Sequence, residues 1–144
     1  MKRVTHSWVT HTSEETIALG REIAATLPSK AVVLLIGNLG AGKTTLAKGI
    51  LSGLGAANPD EVTSPTFTLI HEYGEGRAYH IDLYRLDTAV EAGRLGLEEL
   101  FDREAVVLIE WGERFPQLLP EDRFEIRITA TPEDDREFEL SLRP

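Results

Sequence analysis

Ala31-Val32-Val33-Leu34-Leu35-Ile36-Gly37-Asn38-Leu39-Gly40-Ala41-Gly42-Lys43-Thr44 is the stretch on which the fold turns. Six apolar residues without a break suit a short strand buried on both faces, as in a parallel sheet. The eight that follow match G-x-x-x-x-G-K-[ST] without deviation. Phosphate chemistry asks for these residue types. Glycines let the backbone turn tightly and bring its N–H groups close to phosphate oxygens. The helix that follows points the positive end of its dipole at the same anion. Lys43 brings a compact cation to the β and γ phosphates, and the Thr44 hydroxyl is a hard oxygen ligand for Mg²⁺. A chance match in a chain of this length has a probability of roughly 0.5%. The setting, after a buried strand and before a helix, is the one this motif requires.

Outward from that loop the chain alternates strands and helices. Residues 2–9 alternate loosely and fit an edge strand. Thr12-Ser13-Glu14-Glu15 reads as a capping box, with Thr12 as the cap and Glu15 reaching back. Ile17, Gly20, Ala24 and Leu27 then share one helical face, closed by Pro28. Residues 43–54 read as a helix stopped by Gly55. Residues 67–73 and 77–82 read as a hairpin turning at Gly74-Glu75-Gly76. Residues 89–101 read as mostly helical, weakened at Gly93 and Gly96. Residues 105–109 (AVVLI) repeat the buried-strand pattern, and 123–129 with 137–142 read as a terminal hairpin. Two fully apolar strands with helices between them argue for an α/β layered domain.

At 144 residues, 42% hydrophobic and 27% charged, the composition is that of one globular domain, residues 1–144, with a real core. The sequence has no cysteine, which excludes disulfide and thiolate chemistry. No apolar run is long enough for a bilayer, so no membrane role is expected. The opening residues lack an apolar secretory core, and a cytoplasmic location is expected. The net charge is −9, from 15 Lys and Arg against 24 Asp and Glu. Such a surface repels polyanions, so no DNA contact is expected; the acidity fits plain solubility, or a nucleic-acid role that runs through a protein partner.

A phosphate loop needs an acidic group on a neighbouring strand for Mg²⁺ or the attacking water. Glu110 ends the apolar strand 105–109 and Asp82 ends the strand at 79–81. Both fall at the carboxyl edge of a sheet, where ligands of open α/β sheets bind. Thr63-Ser64-Pro65-Thr66 is rich in hydroxyls and fits either a switch segment or a plain turn. His80 fits a packed strand residue better than a catalyst. Arg85 fits an exposed ion pair better than a phosphate clamp, and Trp111 is free to stack or to pack. Guanine specificity is unsupported, because Asn38 and Asn58 are the only asparagines and neither precedes lysine. Leu51-Ser52-Gly53-Leu54-Gly55 falls on the loop's own helix and reads as a helix end, not a transporter signature. A small-molecule kinase and a non-hydrolysing switch remain as alternatives.

The motifs at 37–45 (GNLGAGKTT), 63–67 (TSPTF), 80–86 (HIDLYRL) and 109–111 (IEW) occur in that order at close spacing. In this the sequence resembles the bacterial TsaE family, also called YjeE, over nearly the whole chain. The resemblance implies a P-loop NTPase domain whose mixed, mainly parallel sheet is flanked by helices and carries antiparallel hairpins. It implies ATP hydrolysis with Mg²⁺ in support of the TsaB–TsaD pair, in which TsaD threonylcarbamoylates adenosine 37 of tRNAs reading ANN codons. The hydrolysis would reset that complex, with tRNA contacted only through the partners. By the same resemblance Thr44 and Glu110 are magnesium ligands, and Gly40, Ala41, Gly42, Lys43, Thr44 and Thr45 contact the phosphates. Asp82 is the essential aspartate of H-x-D-x-Y-R, and Thr63 and Thr66 belong to a switch-like segment. Arg136 contacts the nucleotide, and Ser13 lies near the adenine. Asn38 stands where the family commonly has aspartate. Lys43, Asp82 and Glu110 form the implied catalytic set.

Overall fold

The computed structural model describes residues 3–38, 40–65 and 68–143. Seven strands form one sheet: β1 Arg3–Thr10, β2 Ala31–Ile36, β3 Ile70–Tyr73, β4 Ala78–Asp82, β5 Val106–Glu110, β6 Arg123–Ala130 and β7 Arg136–Arg143. Their spatial order is β1-β7-β6-β2-β5-β4-β3. The central four, β6, β2, β5 and β4, run parallel. β7 and β3 pair antiparallel to this block, and β1 pairs antiparallel to β7. β1 therefore points the same way as the central four, and the sheet is mixed and mainly parallel. The unbroken apolar runs of β2 and β5 fall at its centre, covered on both faces as all-apolar strands require.

Helices α1 (Ser13–Ala24) and α2 (Lys43–Gly53) cover one face, over Val33, Leu35, Val106 and Leu108. The short helices α3 (Ala89–Gly93) and α4 (Leu97–Phe101) cover the other, over Val32, Leu34, Val107 and Ile109. α1 and α2 touch backbone to backbone. A Cβ on Gly49 would lie 2.2 Å from the Ile17 carbonyl oxygen, and one on Gly20 would lie 2.7 Å from Gly49 Cα. No side chain larger than hydrogen fits at that crossing, which fixes α1 against α2.

The Thr12 hydroxyl caps α1 by accepting from the Glu15 amide at 3.1 Å. Glu15 reaches one residue further back than a capping box does, accepting from the His11 amide at 2.7 Å. The buried face of α1 is Leu19, Gly20, Ile23 and Ala24, with Ile17 only half-buried. Of the expected stripe, Gly20 and Ala24 are buried and Leu27 packs half-buried on the core past the helix, which ends at Ala24, where the Thr26 amide and hydroxyl donate to the Ile23 carbonyl. The helical segment 89–101 is divided, since Gly96 sits at φ 75° as the cap of α4. β3 begins at Ile70, later than the expected 67, because Leu69 adopts φ 71° and its amide turns to the Pro65 carbonyl. Phe67 and Thr66 lie outside the described residues.

Candidate functional site

The loop after β2 opens α2 at Gly42, which adopts φ 111° with no side-chain cap. Only glycine tolerates that backbone, and the missing cap leaves the first amides of α2 without a side-chain acceptor. The first turn is Lys43-Thr44-Thr45, with no acidic residue, whereas α1 carries Glu14 and Glu15 in its first turn. The positive end of α2 is thus left open to an anion. Ala41 is buried with its amide on the Asn38 carbonyl, so its side chain belongs to the core.

Parallel pairing places Asp82 opposite Glu110 in register at the carboxyl ends of β4 and β5. Both carboxylates are buried, at 4% and 3% exposure. The Thr44 hydroxyl donates to Glu110 Oε2 at 3.1 Å. The same oxygen lies 2.6 Å from His80 Nε2. Asp82 accepts from the Tyr84 amide at 2.9 Å and from the Ser64 hydroxyl at 3.2 Å. Ser64, not Thr63, therefore ties the hydroxyl-rich segment to the strand ends; Thr63 is exposed and does not line the cleft.

Lys43 is buried, and its ammonium donates to the Gly37 carbonyl at 2.7 Å. It also sits 3.5 Å from the centroid of the Trp111 ring. Burial lowers its pKa, and the negative charges of Glu110, Glu113 and Asp82 act against that shift. Trp111 reaches this position because its backbone lies at φ 65°, immediately after Glu110. Such a conformation costs a bulky residue roughly 1–3 kcal/mol and is typical of functional sites. Tyr84, 44% exposed, packs on the same ring with centroids 5.0 Å apart.

Two cavities meet over Gly40, Gly42 and Thr45. One, about 370 Å³, is bounded by Lys43, Thr44, Ser64, Asp82, Glu110 and Trp111. The other, about 280 Å³, is bounded by His11, Ser13, Thr16, Asp134 and Arg136. Arg136 Nη2 reaches the Gly40 carbonyl at 3.4 Å, so the last strand touches the glycine loop. His11 bonds Asp135 at 2.8 Å, and that contact raises the imidazole's pKa.

A family model described as "Threonylcarbamoyl adenosine biosynthesis protein TsaE" matches residues 10–138. The chain belongs to the TsaE family. The tRNA threonylcarbamoyladenosine biosynthesis protein TsaE of Bacillus subtilis (strain 168) is 42% identical over 133 residues, 91% of this chain and 82% of that protein. The protein of the same name from Treponema pallidum (strain Nichols) is 37% identical over 134 residues, covering 92% and 98%. The crystal structure of Bacillus subtilis YdiB superposes with a TM-score of 0.81 at 36% identity, over 100% of this chain and 88% of that one.

Of the TsaE-type residues expected from sequence, the fold brings Gly40, Gly42, Lys43, Thr44, Thr45, Asp82 and Glu110 together, and it sets Ser13 and Arg136 on the adjoining cavity. Three features were not foreseen: the His80–Glu110 bond, the packing of Lys43 on Trp111, and the His11–Asp135 pair. Only the first had a signal in sequence. The alternation in His80-Ile81-Asp82 puts His80 and Asp82 on one face of β4.

Proposed function

We propose that this chain is an Mg²⁺-dependent ATPase that serves tRNA threonylcarbamoyladenosine biosynthesis by acting on a TsaB–TsaD pair. The observation that carries the chemical part is the 3.1 Å approach of the Thr44 and Glu110 oxygens beneath the open end of α2. Two adjacent ligands on an octahedral Mg²⁺, each bound at about 2.1 Å, stand about 3.0 Å apart. The oxygen spacing therefore suits that ion, with only the Thr44 hydroxyl proton turned away from Glu110. Among the described residues, no three His, Cys, Asp or Glu side chains converge as a metal cage. Two protein oxygens with phosphates and waters completing the shell is the manner in which Mg²⁺ is usually held. When bound, the ion would neutralise charge building on the β and γ oxygens.

The chain's own residues divide the remaining work. The amides of Gly40 and of residues 42–45 hold the phosphates, that of Ala41 being taken by the Asn38 carbonyl. The 280 Å³ cavity takes the nucleoside, with Ser13 near the base and Arg136 beside the phosphate loop. Neither cavity alone is large, since ligand sites run roughly 300–1,000 Å³; the two joined accommodate a nucleoside triphosphate. Lys43 leaves the Gly37 carbonyl and Trp111 to meet the phosphates. Asp82, anchored by Tyr84 and linked to Ser64, orients or activates the water. The net charge of −9 disfavours direct tRNA contact and supports a role through partners.

The test is phosphate release by the purified chain, alone and with candidate TsaB and TsaD proteins. Weak turnover alone and stimulation by the pair are expected. Lys43→Ala should lower turnover by at least 10²-fold, the loss typical of one preorganised electrostatic donor. Unimpaired turnover in that variant sinks the mechanism; lack of stimulation by the pair removes the partners.

A further inference from the structure

We propose that His80 is a positioning residue that holds the Glu110 carboxylate in its metal-binding orientation, an inference that rests on the reading of Thr44 and Glu110 as Mg²⁺ ligands. His80 lies in the middle of β4 with no solvent exposure. It is in register with Leu108, one pleat before the Asp82–Glu110 pair, and its side chain is on the α1–α2 face. Nε2 meets Glu110 Oε2 at 2.6 Å, and Nδ1 is buried with no hydrogen-bond partner among the described residues. A carboxylate oxygen only accepts, so Nε2 carries a proton, and in the neutral imidazole Nδ1 is then a bare lone pair.

That arrangement is costly as packing. A buried polar atom left unpaired is destabilising, and an aliphatic side chain on this apolar face of the sheet would avoid it. What the imidazole supplies in exchange is one short, charge-assisted bond to the carboxylate. His80 does not line the cleft, so it acts through Glu110 and not on a ligand. Thr44 and His80 share the same Glu110 oxygen. Once the Thr44 lone pair is turned toward a cation, its hydroxyl no longer donates to Glu110. The His80 bond then keeps the carboxylate in place. Hydrogen bonds behind a ligating group typically govern metal affinity by 10–100-fold.

The first measurement uses the metal-free, wild-type full chain. Long-range ¹H–¹⁵N spectra should show His80 protonated at Nε2 and bare at Nδ1, with an Nε2 proton signal that moves in Glu110→Gln. The opposite tautomer, or a signal indifferent to Glu110→Gln, overturns the proposal even if His80 variants do not fold. The second measurement titrates Mg²⁺ into ATP binding for His80→Gln and His80→Asn. The Gln amide nitrogen can occupy the Nε2 position, whereas that of Asn stops near Nδ1. His80→Asn should raise the half-saturating Mg²⁺ concentration 10–100-fold. His80→Gln should stay near wild type, and Mg²⁺-free ATP affinity should be common to all three. An unchanged Mg²⁺ requirement in His80→Asn, or an equal loss of Mg²⁺-free affinity in both variants, refutes the role of His80 alone. Absence of ATP binding by the wild-type chain refutes the proposed function and this role with it.

Discussion

Gly49→Ala sets two known effects against each other at the α1–α2 crossing. In an ordinary helix interior, alanine is better than glycine by about 1 kcal/mol. Here the added methyl would sit 2.2 Å from the Ile17 carbonyl oxygen and 2.9 Å from Gly20 Cα. Both obstacles are backbone, so no rotamer change relieves them. Contact distance to an oxygen is about 3.2 Å, so α1 must retreat by about 1 Å. That retreat loosens Leu19, Ile23, Leu46 and Ile50, all 4% exposed or less. Overpacking of this kind costs about 3 kcal/mol when the backbone must shift. The net loss is then about 2 kcal/mol, and at about 2–4 °C per kcal/mol the melting temperature falls by roughly 4–8 °C. Thermal unfolding by circular dichroism measures this. Gly93→Ala is the internal control: nothing lies within 4 Å of its added methyl, so the same substitution should stabilise by about 0.5–1 kcal/mol. Equal or increased stability in Gly49→Ala would refute the close-approach argument.

Glu113 is held above the ordinary carboxylate value of 4.5, chiefly by burial, and its Oε1 has no hydrogen-bond partner among the described residues. With the folded value raised, its contribution to stability is full below 4.5 and is lost as pH rises through the folded value. Glu113→Gln should therefore melt higher than wild type at pH 7, with the gap closing towards pH 4. The buried Arg123–Glu125 pair, 2.9 Å apart, should lose about 3–5 kcal/mol in Glu125→Leu, measured by urea unfolding. Replacing both residues with apolar ones should restore most of that loss. Arg136→Ala should weaken ATP binding about 10–100-fold by calorimetry, the worth of a hydrogen bond to a charged group, without changing the Mg²⁺ requirement.

The phosphate loop, the two buried strands and the strand-end acids were legible because each depends on short-range pattern. A run of apolar residues ending in Glu110 or Asp82 already states where the carboxylate emerges. The partner of Glu110 was only half legible: alternation puts His80 on the face of Asp82, but that Glu110 lies within its reach depends on the register of two strands almost thirty residues apart. Trp111 was open between stacking and packing since its position follows from a left-handed backbone angle that composition does not announce. Of the stripe read on α1, Gly20 and Ala24 are buried; that Leu19 and Ile23 share this face was not legible, because it depends on the close crossing of Gly20 with Gly49.

The β1–β7 pairing has a consequence for the order in which the chain is made. Thr44 and the glycine loop leave the ribosome early, whereas Arg136 follows roughly 90 residues later, a delay of roughly 5–20 s at ordinary synthesis rates. Until β7 emerges, β1 has no neighbour in the sheet and the cavity beside Ser13 lacks its Arg136 wall. On the proposed function, a nascent chain would own the phosphate half of the cleft before the half for the base, and it should capture nucleotide firmly only once its last strand is in place.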